Sequence, residues 1–134
     1  IIRDIPPLKV NGAPSGKLLV LGWGGTYGAI TASVNDLRAE GFPVSNLHLR
    51  HLNPLPADLG EILRRFEKVL IPELNLGQLA LLVRARFGID VETFNKVQGR
   101  PFQVREMRNR IVEILAASTD EGPFVSTPLP QPRS

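Results

Sequence analysis

The stretch from Leu18 to Gly28, LLVLGWGGTYG, limits the chain to a narrow set of folds. Leu18–Leu21 is a continuous apolar run, the pattern of a strand buried on both faces. Gly22, Gly24 and Gly25 follow at once and let the backbone turn sharply or approach a neighbour closely. Thr26 is placed to cap a helix. Tyr27, Ile30, Val34 and Leu37 recur at helical spacing, and Gly41 stands where a helix-terminating glycine belongs. Strand, glycine turn and helix in this order make half of a βαβ unit.

The rest of the chain repeats the alternation. Residues 1–16 carry Pro6, Pro7, Gly12, Pro14 and Gly16 and read as an extended leading segment or linker, with an edge strand around Leu8–Val10. Beginning at Ile1 rather than Met, the chain reads as a fragment or a trimmed C-terminal part. A second strand is expected over Phe42–Leu52, ended by Asn53-Pro54-Leu55-Pro56. Leu59, Ile62, Leu63 and Phe66 mark a short amphipathic helix, with Glu61 and Arg65 as a solvated pair. Val69–Ile71 is a third strand, closed by Pro72 and Glu73. Asn75 and Gln78 form a capping pair for a helix over Leu76–Phe87. That helix is apolar nearly all round until Arg84 and Arg86, which predicts burial against more than one neighbour. Gly88 stops it, and Ile89–Phe94 alternates as an edge strand. After the polar loop of residues 95–101, Val104, Met107, Ile111, Ile114 and Leu115 line the last helix, with Arg105, Arg108 and Arg110 outside. From Ser118 onward, prolines and a shortage of large apolar residues predict a disordered tail. Residues 17–117 are therefore the folded domain, a mainly parallel sheet with helices on both faces.

Several function classes fall away. The chain has no cysteine, which excludes disulfides, thiolate metal sites, thiol nucleophiles and cysteine-held iron–sulfur clusters within it, and fits a cytoplasmic protein. A net charge of +3 is interspersed rather than blocked, and only 6% of residues are aromatic, so a nucleic-acid surface has little support. No apolar run reaches the ~18 residues of a membrane span, and no signal peptide is visible. Gly22-x-Gly24 begins like a dinucleotide fingerprint, but Tyr27 stands where the third glycine belongs, and Arg50 and His51 replace the ribose-binding acid. Gly12-Ala-Pro-Ser-Gly16-Lys17 falls one residue short of a phosphate loop and is followed by Leu18 instead of a hydroxyl residue. His48 and His51, three apart on a strand, face opposite sides and do not make a metal pair. Glu73 is the one carboxylate at a strand's carboxyl end, either a general base or a local cap.

What remains is a crevice at the carboxyl ends of the strands. Gly22, Trp23, Gly24, Gly25, Thr26 and Tyr27 border it on one side, Asn75 and Gln78 on the other. Two helix starts with free amides suit an anion. Glycines beside Trp23 and Tyr27 suit a closely approaching protein surface. The same glycines also serve a tight turn and close helix–strand packing. No catalytic residue is identified.

Taken together, LVLGWGGTYGAI, VSNLHLRHLNPLP, FEKVLIPELNLGQLALLVR and FNKVQGRPF resemble, in this order, the C-terminal domain of the alpha subunit of 2-oxoacid:ferredoxin oxidoreductases, closest to the 2-oxoglutarate type. The resemblance covers about residues 15–117. HLRHLNPLP is also similar to the C-terminal domain of transketolases, where an Asp usually precedes Leu-Arg; here His48 takes that place. The resemblance implies a three-layer α/β/α fold with a mostly parallel five-stranded sheet and one early antiparallel edge strand. For the whole enzyme it implies oxidative decarboxylation of a 2-oxoacid to an acyl-coenzyme A and CO2, with ferredoxin reduced. Thiamine diphosphate, magnesium and an iron–sulfur cluster are implied as cofactors of that enzyme, and its beta subunit and remaining alpha-subunit domains as partners. None of these cofactors is expected in this chain, which has neither a thiamine-type GDG motif nor a cysteine. The chain then reads as a non-catalytic assembly domain. A stand-alone domain binding an anion or a nucleotide such as coenzyme A is the alternative.

Overall fold

The computed structural model describes residues 8–50, 55–74, 78–96 and 100–120. Its elements are β1 (Gly16–Trp23), a single 3-10 turn (Gly24–Thr26), α1 (Tyr27–Ala39), β2 (Val44–Leu49), α2 (Leu59–Leu63), β3 (Phe66–Leu74), α3 (Gln78–Phe87), β4 (Glu92–Lys96) and α4 (Val104–Asp120). The four strands form one parallel sheet in the order β2-β1-β3-β4. β1 is central, as its unbroken apolar run requires.

Alternation along β1 divides the core in two. Leu19 and Leu21 face a cluster completed by Leu47 and Leu49 of β2, Val69 and Ile71 of β3, Leu59, Ile62 and Leu63 of α2, and Leu79, Ala80 and Val83 of α3. Leu18 and Val20 face the opposite cluster, with Ile30, Val34 and Leu37 of α1 and Met107, Ile111, Ile114 and Leu115 of α4. Helices on both faces of a parallel sheet give the three-layer α/β/α architecture.

Five strands were expected; four are found among the described residues. Leu8 and Val10 pack against the α2–α3 side of the core without joining the sheet as a strand. Where the antiparallel edge strand was expected, a single bridge joins Asn11 to Asn46 of β2. Its backbone bonds are 2.8 and 3.1 Å long. The Asn11 amide also donates to Asn46 Oδ1 at 2.8 Å and to Asn35 Oδ1 at 2.9 Å. Gly12, at φ +119°, then turns the chain away, so pairing stops after one residue. Polar side chains thus shield β2's outer edge, which otherwise offers an unpaired ladder.

Several boundaries differ from expectation, β2 being shorter than expected at Val44–Leu49 and β4 shifted to Glu92–Lys96. α2 ends at Leu63, and Phe66 opens β3. Pro72 does not close β3 but lies within it, opposite Phe94. β1 pairs with β3 only as far as Leu70, and beyond that β3 borders β4 alone. Proline's missing N–H is tolerated on such a one-sided stretch. α4 continues to Asp120, past the expected boundary at Ser118. The rest of the expected tail lies outside the described residues, as do Ile1–Pro7 of the leading segment. Arg108 fastens α4 to the end of α1 through a two-pronged pair with Glu40, at 2.8 and 3.2 Å. The guanidinium's hydrogen bonds hold the Glu40 carboxyl below the usual carboxylate range.

Candidate functional site

β1 is followed by β2 on one side and flanked by β3 on the other, so the chain reverses its direction of travel across the sheet between β1 and β3. In such sheets this switch point, at the carboxyl ends of the strands, is the customary ligand crevice. Trp23 ends β1 there and Glu73 lies near the end of β3. The Trp23 indole Nε1 donates to Glu73 Oε1 at 3.1 Å. The same oxygen accepts the Leu79 backbone N–H at 2.7 Å, and Oε2 accepts that of Ala80 at 3.0 Å. Glu73 is 1% exposed. Its two oxygens therefore accept three donors and join both turns bordering the crevice.

This arrangement decides between the two readings of Glu73. The carboxylate caps α3 from outside the helix, taking amides that an incoming anion would need. Of the expected capping pair, Asn75 lies outside the described residues, and Gln78 is exposed as the first residue of α3. Burial at 1% and three bound donors suit a structural clamp, not a base awaiting substrate.

The glycine turn separates into distinct parts. A Cβ on Gly22 would stand 2.4 Å from Ile30 Cδ1 and 3.0 Å from Thr26 Oγ1. Gly22 therefore permits the close approach of α1 to β1. Gly24 sits at φ +65°, a backbone that favours glycine, with open space around it. Gly25 has neither constraint: its φ is ordinary and a Cβ would meet nothing within 4 Å. Thr26 occupies the residue before α1, but its hydroxyl does not cap the helix; it donates to the Trp23 carbonyl at 3.0 Å and closes the turn. Tyr27 is 55% exposed. Its ring meets the edge of His48 at a centroid distance of 5.0 Å and an interplanar angle of 76°. Gly24, Gly25, Tyr27, Gly28 and Gln78 are thus exposed, while Gly22, Thr26 and Glu73 hold the turn from within.

The Tyr27–His48 contact was not read from the sequence. The register carries its signal, since His48 pairs with Gly22, five residues before Tyr27. Partial burial lowers the His48 pKa from its ordinary value. Between the unfolded histidine value of ~6.5 and the lower folded value, the unfolded chain takes up a proton that the native chain refuses. Stability therefore falls as pH is lowered through this window. We expect chemical denaturation at successive pH values to show this acid-side loss, and His48→Gln to flatten it. His51 lies outside the described residues.

The phosphate-loop-like stretch Gly12–Lys17 leads into β1 at the amino end of the sheet, so its amides open no helix. A half-open cleft of about 250 Å³, lined by Ser15, Arg38, Phe42 and Phe66 among others, lies at that same end, away from the glycine turn. Among the described residues, no three His, Cys, Asp or Glu side chains converge as a metal site requires. With no cysteine, this chain supplies no thiolate to an iron–sulfur cluster.

No family model matches the chain. The 2-oxoglutarate oxidoreductase subunit KorA of Mycobacterium tuberculosis is 44% identical over 119 residues, which is 87% of this chain and 18% of that protein. Subunit alpha of 2-oxoacid:ferredoxin oxidoreductase 1 of Aeropyrum pernix is 31% identical over 127 residues, 89% of this chain and 20% of that protein. This chain is a homologue of 2-oxoacid:ferredoxin oxidoreductase alpha subunits. It spans about a fifth of the length of these curated relatives. A solved 2-oxoglutarate:ferredoxin oxidoreductase of Magnetococcus marinus, with 2-oxoglutarate, coenzyme A and succinyl-coenzyme A bound, superposes with a TM-score of 0.79 and 28% identity over 85% of this chain and 20% of its own. An inactive split-gene transketolase superposes with a TM-score of 0.59 and 17% identity over 75% of this chain and 38% of its own, which shows the shared transketolase C-terminal-like fold alone.

Proposed function

We propose that the chain is a non-catalytic assembly domain of a thiamine-diphosphate-dependent 2-oxoglutarate:ferredoxin oxidoreductase. The parent enzyme converts 2-oxoglutarate and coenzyme A to succinyl-coenzyme A and CO2 in the cytoplasm, and the electron pair released passes through an iron–sulfur cluster to ferredoxin. The observation that carries this reading is the 44% identity to a 2-oxoglutarate oxidoreductase subunit, in a chain with neither a cysteine nor a GDG sequence. The domain's partners are then the beta subunit and the remaining domains of the alpha subunit.

The carboxyl edge of the sheet is the docking surface in this reading. Glu73 occupies the α3 amides and steadies Trp23, so the edge is held rigid before contact. Gly24, Gly25 and Gly28 leave bare backbone around Tyr27, an exposed aromatic of the kind that anchors protein interfaces. The occupied amides weigh against the stand-alone anion-binding alternative. Calorimetry with coenzyme A, ADP and thiamine diphosphate addresses it directly, and a silent titration of the isolated chain is expected.

The activity assay is 2-oxoglutarate-dependent reduction of a viologen dye. The assembled parent enzyme should turn over and the isolated chain should not. Turnover by the chain alone overturns the non-catalytic reading.

A further inference from the structure

α3 is apolar on two faces, and the fold covers one of them. Leu79, Ala80 and Val83 are buried against the sheet. On the opposite side, Gln78, Leu81, Leu82 and Ala85 follow the three-, four- and seven-residue spacing of a single helix face. Leu81 is 66% exposed and Leu82 36%. They are two of the four large apolar side chains left exposed among the described residues. The near-continuous apolar sequence of this helix predicts a second neighbour, and none of the described residues supplies it.

The borders of the stripe carry one sign of charge. At 100° per residue, Arg84 falls on one flank and Arg86 on the other. Arg84 donates to the Val91 carbonyl at 3.1 Å, and Arg64 from α2's end donates to the Phe87 carbonyl at 3.0 Å. Arg86 lies 5.7 Å from the centre of the Phe87 ring. None of the three forms an ion pair among the described residues. No Asp or Glu occurs between Gln78 and Phe87. A guanidinium that gives one hydrogen bond to a carbonyl keeps further donors for a carboxylate.

We infer that the outer face of α3 docks onto a carboxylate-bordered apolar surface of another chain of the same oxidoreductase. The inference rests on the reading of this chain as part of a multi-subunit enzyme, but is carried by Leu81, Leu82 and the flanking arginines of α3, not by the glycine turn. The central apolar stripe favours a protein surface over a nucleic-acid backbone, which would be met by cations alone. Charge complementarity selects an acidic partner: carboxylates at the rim steer association, and the leucines supply the contact that water must leave.

The test uses the full-length parent subunit and its purified partner chain, with affinity measured from about 50 to about 500 mM salt. The wild-type affinity should fall with salt. Arg86→Glu, which breaks no hydrogen bond seen in the structure, should weaken association about tenfold at low salt and flatten the salt dependence. Arg84→Glu/Arg86→Glu should act further in the same direction. Leu81→Asp should weaken association at every salt concentration while leaving the subunit's thermal melting unchanged. Variants that assemble as the wild type does, with the same salt profile, overturn the proposal and leave the assembly reading standing. A self-association of the parent subunit that Leu81→Asp abolishes also overturns it, naming a second copy as the occupant. A wild-type subunit that binds no partner chain contradicts the underlying reading itself.

Discussion

Glu73→Ala should destabilise the domain by about 4 kcal/mol, the combined loss of hydrogen bonds to a charged acceptor and the stranding of buried donors. The carboxylate is 1% exposed and accepts the Leu79 and Ala80 amides and the Trp23 indole. Removing it leaves these three donors without their acceptor in a site with little access for replacement water. It also removes a negative group from the start of α3, where the helix dipole favours one. Against a total stability of roughly 5–15 kcal/mol for a domain, this is a large fraction. Glu73→Gln keeps the shape and one acceptor oxygen but turns an amide toward a donor, so about half the loss is expected. Trp23 is the chain's single tryptophan, so its fluorescence reports the clamp directly. Denaturant unfolding followed at that wavelength should show the lowered midpoint, and native emission should shift as the indole loses its partner. An unchanged midpoint in Glu73→Ala means the clamp does not hold the two turns.

Gly22→Val should cost about 3 kcal/mol, the upper range for forcing atoms into a packed core. The first added carbon alone falls 2.4 Å from Ile30 Cδ1, and Ile30 is itself 2% exposed. Relief requires Ile30 to leave its rotamer or α1 to lift from β1, and the Thr26 Oγ1 at 3.0 Å narrows the second route. Gly22→Ala should cost less, because the methyl lacks the branches of valine. Thermal melting of Gly22→Val beside Gly25→Val makes the comparison: a marked drop for the first and a change within about 0.5 kcal/mol for the second.

The central part of the fold was legible because local signals and packing agree there. Leu18–Leu21 has no polar residue to place in solvent, so it could only be a doubly covered strand. Gly41 and Gly88 end their helices at φ +98° and +66°, as their positions after apolar helical runs suggested. Phe66 misled because its spacing from Ile62 and Leu63 suits a helix face, whereas the chain leaves the helix and brings Phe66 to the same core from a strand. Pro72 misled because sequence alone does not show that β3 outruns its β1 pairing at Leu70. At the carboxyl ends of β1 and β3, the sequence showed the glycine turn and Glu73 but not how these residues divide their structural roles. The crowding at Gly22 and the open space at Gly25 depend on where the Ile30 side chain sits, which no spacing rule reports. Glu73 capping amides six and seven residues onward lies beyond the short-range capping patterns used on sequence. The apolar outer face of α3 was visible as excess hydrophobicity, but only the fold shows which leucines remain outside.

Assembly of the parent enzyme carrying Gly25→Val is the most direct measure of whether the carboxyl edge is a docking surface. Gly25 has an ordinary φ and space for a side chain within this domain, so valine there should leave the melting temperature of the lone chain unchanged. In the parent enzyme the added isopropyl group should stand between the glycine turn and its partner. Size-exclusion chromatography is then expected to show the complex reduced to free subunits, with 2-oxoglutarate-dependent dye reduction lost in parallel. A Gly25→Val enzyme that elutes as the intact complex with full activity contradicts the account, as does a Gly25→Val chain that unfolds on its own.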